Sequence, residues 1–228
     1  MKKYLLLLSA LVLFVTPTIA NAGTAAVGFT IASNSIDTVG KEDVDNNGSI
    51  DDTKNVSDDI YTGSIFAEYT EIEGNLAITY GVDYIPFDAD IDRRSISQSS
   101  LGDKASGAAS TGTNSVSASV SDHLTLYLQP GYMMTPDSML FATFGIVRAD
   151  LDGKSTSLTH TDISSSKSLD GTKIGVGIKY TDSNSGLVFK IEASETEYDT
   201  ATFVTSNNTK ATADLDNTAV AISLGKTF

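Results

Sequence analysis

Large apolar residues alternate with small or polar residues along eight separate stretches of the chain, and this pattern predicts β-strands. The alternation is clearest in 173–181 and 216–228, where one parity is apolar and the other carries glycine, serine, threonine or lysine. Successive side chains of a strand point to opposite faces, so each stretch has one apolar face and one polar face. The other six lie within 24–32, 61–70, 76–84, 123–132, 139–149 and 187–194.

The connections between these stretches alternate between long and short. Short turns are expected at Glu73–Asn75, Thr135–Ser138 and Asp182–Gly186, where glycine, proline, asparagine and aspartate cluster. The longer segments have no clear period and are expected to be acidic or serine-rich loops: 33–59, 87–122, 151–170 and 198–215. In an antiparallel meander this alternation places every long loop at one end of the sheet.

Parity also sorts the charged residues onto the face opposite the apolar one. Three acids and three lysines share that face: Glu68, Asp83, Lys173, Lys179, Lys190 and Glu192. If the sheet closes into an eight-stranded barrel, they lie in a lumen just wide enough to be filled by side chains. Depth along the strands predicts that Glu68 pairs with Lys179 or Lys190 and that Asp83 pairs with Lys173. The stretch 139–149 is apolar on both parities, and we expect Leu140, Ala142, Phe144 and Ile146 to face outward.

The last stretch resembles the closing strand of bacterial outer-membrane β-barrels. In those proteins alternating apolar residues before a C-terminal Phe are read by the barrel-assembly machinery, and the matching positions here are Val220, Ile222, Leu224 and Phe228. The segment LFATFGIVRAD is also similar to a strand of OmpA-type barrels. The resemblance implies an all-β, eight-stranded, up-and-down transmembrane barrel of the OmpA/OmpX or opacity/porin kind, with long extracellular loops and short periplasmic turns.

The N-terminus indicates export. Lys2 and Lys3 precede an apolar run, and Ala20-Asn21-Ala22 places small residues where signal peptidase cleaves, so 1–22 is expected to be a cleaved signal peptide and 23–228 the barrel domain. We expect no peptidoglycan-binding domain. Aromatic residues near the strand ends are expected to form interfacial girdles: Tyr61, Tyr80, Tyr84, Tyr132, Tyr180 and Phe228.

The net charge of −14 disfavours nucleic acid as a partner, because few cations could neutralise phosphates. The chain has no cysteine, which excludes disulfides and thiolate metal sites. We expect a monomer in the bacterial outer membrane, in contact with lipid and lipopolysaccharide. During biogenesis its partners would be periplasmic chaperones and the barrel-assembly machinery.

One acidic segment partly matches a calcium-binding loop. Oxygen-bearing residues occupy the spacing of the first nine positions, and Gly48 stands at the sixth. They are Asp43, Asp45, Asn47, Ser49 and Asp51. The twelfth position is Lys54 rather than an acid, so a solvated acidic loop is the favoured interpretation and weak Ca²⁺ binding the alternative. No other cofactor is expected.

The number and position of the histidines bear on whether the protein is an enzyme. The chain has only His123, which follows Ser121 and Asp122, and His160. Some small outer-membrane barrels modify lipid A with His, Ser and an acid, but a structural histidine is the favoured interpretation and no enzyme activity is expected. The expected function is a plugged barrel with a structural or surface-interaction role, in adhesion or shielding. OmpW- or porin-like passage of small solutes is the alternative.

Overall fold

The computed structural model describes residues 23–43, 46–102, 109–156, 163–204 and 210–228, so the predicted signal peptide and His160 lie outside the described residues. No helix within those ranges has the length and apolar character needed to span a membrane. The strands are β1 (Thr24–Asp43), β2 (Asp52–Glu73), β3 (Leu76–Ile85), β4 (Ala89–Gly102), β5 (Ala109–Thr135), β6 (Ser138–Thr156), β7 (Ile163–Thr181), β8 (Leu187–Tyr198), β9 (Ala201–Val204) and β10 (Lys210–Thr227).

Eight of these strands form a closed antiparallel ring in the order β1, β2, β3, β5, β6, β7, β8, β10. The ring closes because β1 pairs with β10 from Ala26 opposite Thr227 to Asp43 opposite Lys210. Closure gives each strand a ladder on both sides, so no sheet edge faces lipid at the level of the shared ladders. The predicted eight-stranded up-and-down barrel is confirmed.

The outer face carries a continuous apolar band. Its side chains are about half exposed, which is how a lipid-facing surface appears without lipid: Phe29, Ile65, Ile78, Leu128, Phe144, Val176, Ile191 and Ile222. The ambiguous strand β6 faces as expected, with Leu140, Phe144 and Ile146 exposed and Met139 and Phe141 buried inside. Ala25 and Val82 share the outward parity but are buried.

The predicted girdle residues lie at the margins of the band. Tyr80 and Tyr132 are at the end with the short turns, where the Tyr80 hydroxyl donates to Glu71 (2.8 Å) and Asn75 Nδ2 donates to the Tyr132 hydroxyl (3.2 Å). Tyr61 is at the other margin and is largely exposed. Tyrosine suits this position because its ring is apolar and its hydroxyl can reach water.

The prediction of four long loops is wrong, because much of these segments continues the strands. β1 extends to Asp43, β2 begins at Asp52, β6 extends to Thr156, and β10 begins at Lys210. β4 forms a hairpin with β5, and β9 pairs with β10. The barrel therefore rises well beyond the apolar band at the end opposite the short turns, and we call this part the extracellular extension.

The extension inverts the pattern of the membrane segment. Within the band most large apolar side chains point outward, whereas in the extension Leu151, Leu169, Leu215 and Ala201 form a buried cluster inside the barrel. An outward and an inward large apolar residue stand five positions apart in three strands, at Ile31/Ile36 in β1, Ile174/Leu169 in β7 and Val220/Leu215 in β10, whereas in β6 the inward Val147 directly follows the outward Ile146. An odd step reverses the face. Water outside the extension favours polar residues there, and this reversal hides the period from a sequence-only reading.

Candidate functional site

The interior at the level of the apolar band contains a buried cluster of charges around Glu68. Lys179 Nζ lies 2.8 Å from Glu68 Oε1, and Lys190 Nζ lies 2.6 Å from Glu68 Oε2. The Tyr127 hydroxyl donates to the same Oε2 at 2.8 Å. A buried carboxylate is stable only when it is paired and hydrogen-bonded, and Glu68 has both kinds of partner.

The lysines of this cluster are held by further contacts. Lys179 Nζ donates to Thr70 Oγ1 (2.8 Å), which is 2.8 Å from the Thr79 hydroxyl on the next strand. Lys190 Nζ lies 4.0 Å from the centroid of the Phe66 ring, a cation–π distance. The cluster thus ties β2, β3, β7 and β8 together across the lumen.

The Phe66 ring fits because two glycines lie beneath it. A Cβ placed on Gly28 would be 2.6 Å from Phe66 Cε1, and one on Gly225 would be 2.7 Å from Phe66 Cζ. These glycines face each other across the β1–β10 ladder that closes the barrel. They therefore let an aromatic ring pack flat against the closing wall, where any larger residue would collide with it.

A second charged group lies nearer the extracellular side. Lys173 Nζ is 2.7 Å from Glu192 Oε1, while Glu192 Oε2 accepts from Gln129 Nε2 (3.1 Å) and from the Thr143 hydroxyl (2.9 Å). The predicted pair between Asp83 and Lys173 is wrong. Asp83 instead accepts a hydrogen bond from Ser64 (2.7 Å), and no ion pair joins it to any residue that the structure describes. Lys173 lies opposite Thr196 in the β7–β8 ladder and Glu192 lies opposite Gly177, so the two side chains meet diagonally across the interior.

The three residues considered for catalysis, Ser121, Asp122 and His123, do not converge on one site. Ser121 Oγ donates to Asp152 (3.4 Å), and Asp122 accepts from the Tyr84 hydroxyl (3.0 Å). Asp122 has a φ of 49° at a bulge in β5, which turns Ser121 to the outer face and His123 to the inner face. His123 Nε2 lies 2.9 Å from the Tyr198 hydroxyl.

The predicted calcium loop lies between the end of β1 at Asp43 and the start of β2 at Asp52. Asp43 is buried, and its carboxylate accepts from the backbone N–H of Asn47 (3.0 Å) and of Gly48 (2.8 Å). Asn47 Oδ1 accepts from the Ser49 N–H (2.8 Å), and Asp45 is outside the described residues. No group of three or more His, Asp or Glu side chains arranged for a metal is found in the described ranges. Calcium binding stays a prediction.

One exposed ion pair stabilises the top of the extension. Lys41 Nζ is 3.0 Å from Asp214 Oδ2, and the Thr200 hydroxyl donates to Oδ1 at 2.5 Å. The Thr200 hydrogen bond and then Lys41 hold the pKa of Asp214 below its usual value. At the opposite end, in the turn before β8, the hydroxyl of Ser185 lowers the pKa of Asp182 in the same way.

The predicted assembly residues share one outward face of β10: Val220, Ile222, Leu224 and Phe228 are all exposed. Sequence reasoning placed the charges of the lumen correctly by parity, but it missed Tyr127, Phe66 and Gln129 as their partners. The alternation of the sequence could have identified these three as lumen residues, since each lies on the inward parity of its strand among polar neighbours. It also missed the apolar cluster of the extension, whose parity is reversed.

No family model and no curated protein matches the sequence. Among solved structures, the chain is similar to the outer membrane protease OmpT from Escherichia coli, with 12% identity, 93% of this chain and 98% of that chain covered, and a TM-score of 0.54. It also matches Ail, the attachment invasion locus protein of Yersinia pestis, with 13% identity, 90% and 97% covered, and a TM-score of 0.41. The closed ring, its apolar exterior and the likeness to OmpT give this chain the fold of an outer-membrane β-barrel, located in the bacterial outer membrane.

Proposed function

We propose that this protein is a non-conducting barrel that strengthens the outer membrane and carries a rigid extracellular platform for surface interactions, in adhesion or shielding. The observation that carries the proposal is the filled lumen. Glu68, Lys179 and Lys190 meet across it, with Phe66 and Tyr127 packed against them. Ions cannot pass this layer unless paired charges separate in a low-dielectric interior, which is costly.

The extension supports the second half of the proposal. Strands that continue past the apolar band and pack on the cluster of Leu151, Leu169 and Leu215 form a folded structure rather than flexible loops. Its outer surface is acidic: Asp37 lies opposite Asp216, which in turn lies opposite Glu197. A rigid acidic surface suits recognition of basic or cationic partners, since complementary charge guides encounter.

The decisive experiment is planar-bilayer conductance of the refolded mature protein. The wild type is expected to show no steady openings. A matched variant that truncates the central layer, Tyr127→Ala with Lys190→Ala, is expected to conduct, which shows that the assay detects an open lumen. Steady openings of nanosiemens size in the wild type would instead favour the porin-like alternative.

The proposed role is non-enzymatic. Its support is that Ser121, Asp122 and His123 each bond a different partner and point to different sides of β5. OmpT is named as a protease, so proteolysis is tested directly with fluorogenic peptides of basic and acidic sequence. Turnover that survives purification under refolding conditions and is lost in a single-residue variant would contradict the non-enzymatic role.

The proposed partners follow from the location. The apolar band contacts lipid and lipopolysaccharide, and the outward face of β10 that ends at Phe228 is the segment offered to the barrel-assembly machinery. Deleting Phe228 is expected to slow insertion by that machinery while leaving spontaneous refolding into detergent unchanged. Equal insertion rates with and without Phe228 would argue against this role.

A further inference from the structure

Two adjoining cavities lie inside the barrel on the extracellular side of Glu68, and the lower one has Lys173, Glu192 and Lys190 in its walls. The lower one has a volume of about 90 Å³ and is lined mostly by polar residues, and the upper one has about 50 Å³ and mostly apolar walls. The upper walls include Ile36, Ile60, Val120, Leu169 and Leu215. The two cavities share five wall residues, which mark their boundary: Asn34, Thr62, Ile85, His123 and Asn217.

Two polar atoms at this boundary are buried without a hydrogen-bond partner among the described residues: His123 Nδ1 and Asn217 Oδ1. The other polar atoms of these side chains are engaged. His123 Nε2 is 2.9 Å from the Tyr198 hydroxyl, and Asn217 Nδ2 donates to Asn34 Oδ1 at 3.1 Å. An unsatisfied buried polar atom is costly, so both atoms favour a molecule that offers them hydrogen bonds.

The barrel wall is incomplete beside these cavities. β3 ends at Ile85, and its ladder with β2 stops at Ile65 opposite Tyr84. Above that point, within the described ranges, no ladder pairs β2 with the strand on that side, since β4 pairs with β5. Phe87 lines the upper cavity at this gap and is 71% exposed. The gap thus opens the cavities toward the extracellular side, whereas the Glu68 layer closes the way to the periplasm.

We propose that this pocket binds a small neutral amphiphile, with one hydroxyl or carbonyl group at His123 and Asn217 and a short alkyl or aryl part in the upper cavity. The apolar walls supply the affinity and the two unsatisfied atoms supply the orientation. Lys173 and Glu192 neutralise each other, so they offer no counter-charge to a charged ligand. Asp83, which lines the lower cavity without an ion pair to any described residue, is a competing site for a cation, and the titration includes a cation for that reason. This site goes beyond the proposed structural and surface role, since it gives the closed barrel a ligand.

The test uses the refolded protein in lipid nanodiscs, titrated with 1-butanol and with the charged analogues butylammonium and butanoate. Nuclear magnetic resonance follows the ring nitrogens of His123 and the side-chain amide of Asn217. Saturable shifts at both residues with butanol, and none with either ion, are expected. Shifts confined to lipid-facing residues would mean partition into the bilayer only, and binding of butylammonium as tight as that of butanol would mean capture by Asp83. Either result overturns the proposal.

Two variants sharpen the test. Asn217→Leu removes the acceptor and keeps the volume, so butanol is expected to bind about fivefold more weakly, as for the loss of one hydrogen bond. Val220→Ala, on the lipid-facing side of the same strand, is the matched control and should bind as the wild type does. Unchanged affinity in Asn217→Leu would contradict the assigned orientation. If that variant does not fold, judged by heat-modifiable gel migration, the wild-type ligand series decides alone.

Discussion

Replacing Glu68 tests the central layer of the lumen. Glu68→Gln keeps the shape of the side chain but leaves Lys179 and Lys190, now 2.8 and 2.6 Å from that carboxylate, without a counter-charge. Removing one partner of a buried ion pair typically costs about 3–5 kcal/mol. The glutamine amide can still accept from Tyr127, so we expect a loss near the lower end, about 3 kcal/mol of the free energy of unfolding.

Two further variants separate the charge from the volume. Lys190→Met leaves Glu68 paired with Lys179. It should lower the free energy of unfolding by about 1.5–3 kcal/mol, which is the typical contribution of one hydrogen bond to a charged group. The triple variant with Glu68→Gln, Lys179→Met and Lys190→Met removes every charge of the cluster. It should be more stable than Glu68→Gln alone, because a buried ion cluster can often be replaced by apolar groups at little cost.

The assay is urea unfolding from lipid vesicles, followed by circular dichroism and by heat-modifiable gel migration, because the chain has no tryptophan for fluorescence. Glu195→Gln is the matched control: the same substitution at an exposed outward position of β8, expected within about 0.5 kcal/mol of wild type. A loss under about 1 kcal/mol for Glu68→Gln, or a triple variant as unstable as the single, would refute the assigned role of the cluster.

Four other changes test separate parts of the structure. Gly225→Ala should destabilise the barrel by about 1–3 kcal/mol by overpacking against Phe66, and combining it with Phe66→Leu should recover part of that loss in the same urea assay. Ile222→Lys puts a charge on the lipid face and should cost about 2–4 kcal/mol, whereas equal stability would place this face away from lipid. Because the pKa of Asp214 is depressed in the folded state, this carboxylate stabilises the fold above the usual carboxyl pKa, and that stabilisation is lost as the pH falls through the folded pKa. Hydrogen exchange near the top of β10 should therefore rise only under those acidic conditions. Asp214→Asn should abolish the pH-dependent rise. Calcium added in excess should leave the melting temperature unchanged if 43–51 is a solvated loop, and a saturable rise that Asn47→Ala removes would establish a weak site.

The sequence by itself determined the membrane part of this protein. The strands alternate with a period of two, with apolar side chains on one parity and glycines, hydroxyls and paired charges on the other, and few folds satisfy this pattern. The sheet must close into a barrel, because an open sheet edge in lipid would leave its backbone N–H and C=O groups without hydrogen bonds. The alternation alone predicted that Glu68, Lys179 and Lys190 lie inside the barrel. The face on which a residue lies can be read from its neighbours along a single strand.

Only the tertiary structure decided which interior charges meet and how far the strands extend. Lys173 reaches Glu192 rather than Asp83 because ladder register and strand tilt set which side chains share a level, and neither can be read from a single strand. The extension was hidden because water replaces lipid there, so Leu151, Leu169 and Leu215 turn inward and the polar residues outward. The same alternation thus carries opposite meanings on the two sides of the membrane surface, and only the position of each residue relative to that surface tells them apart.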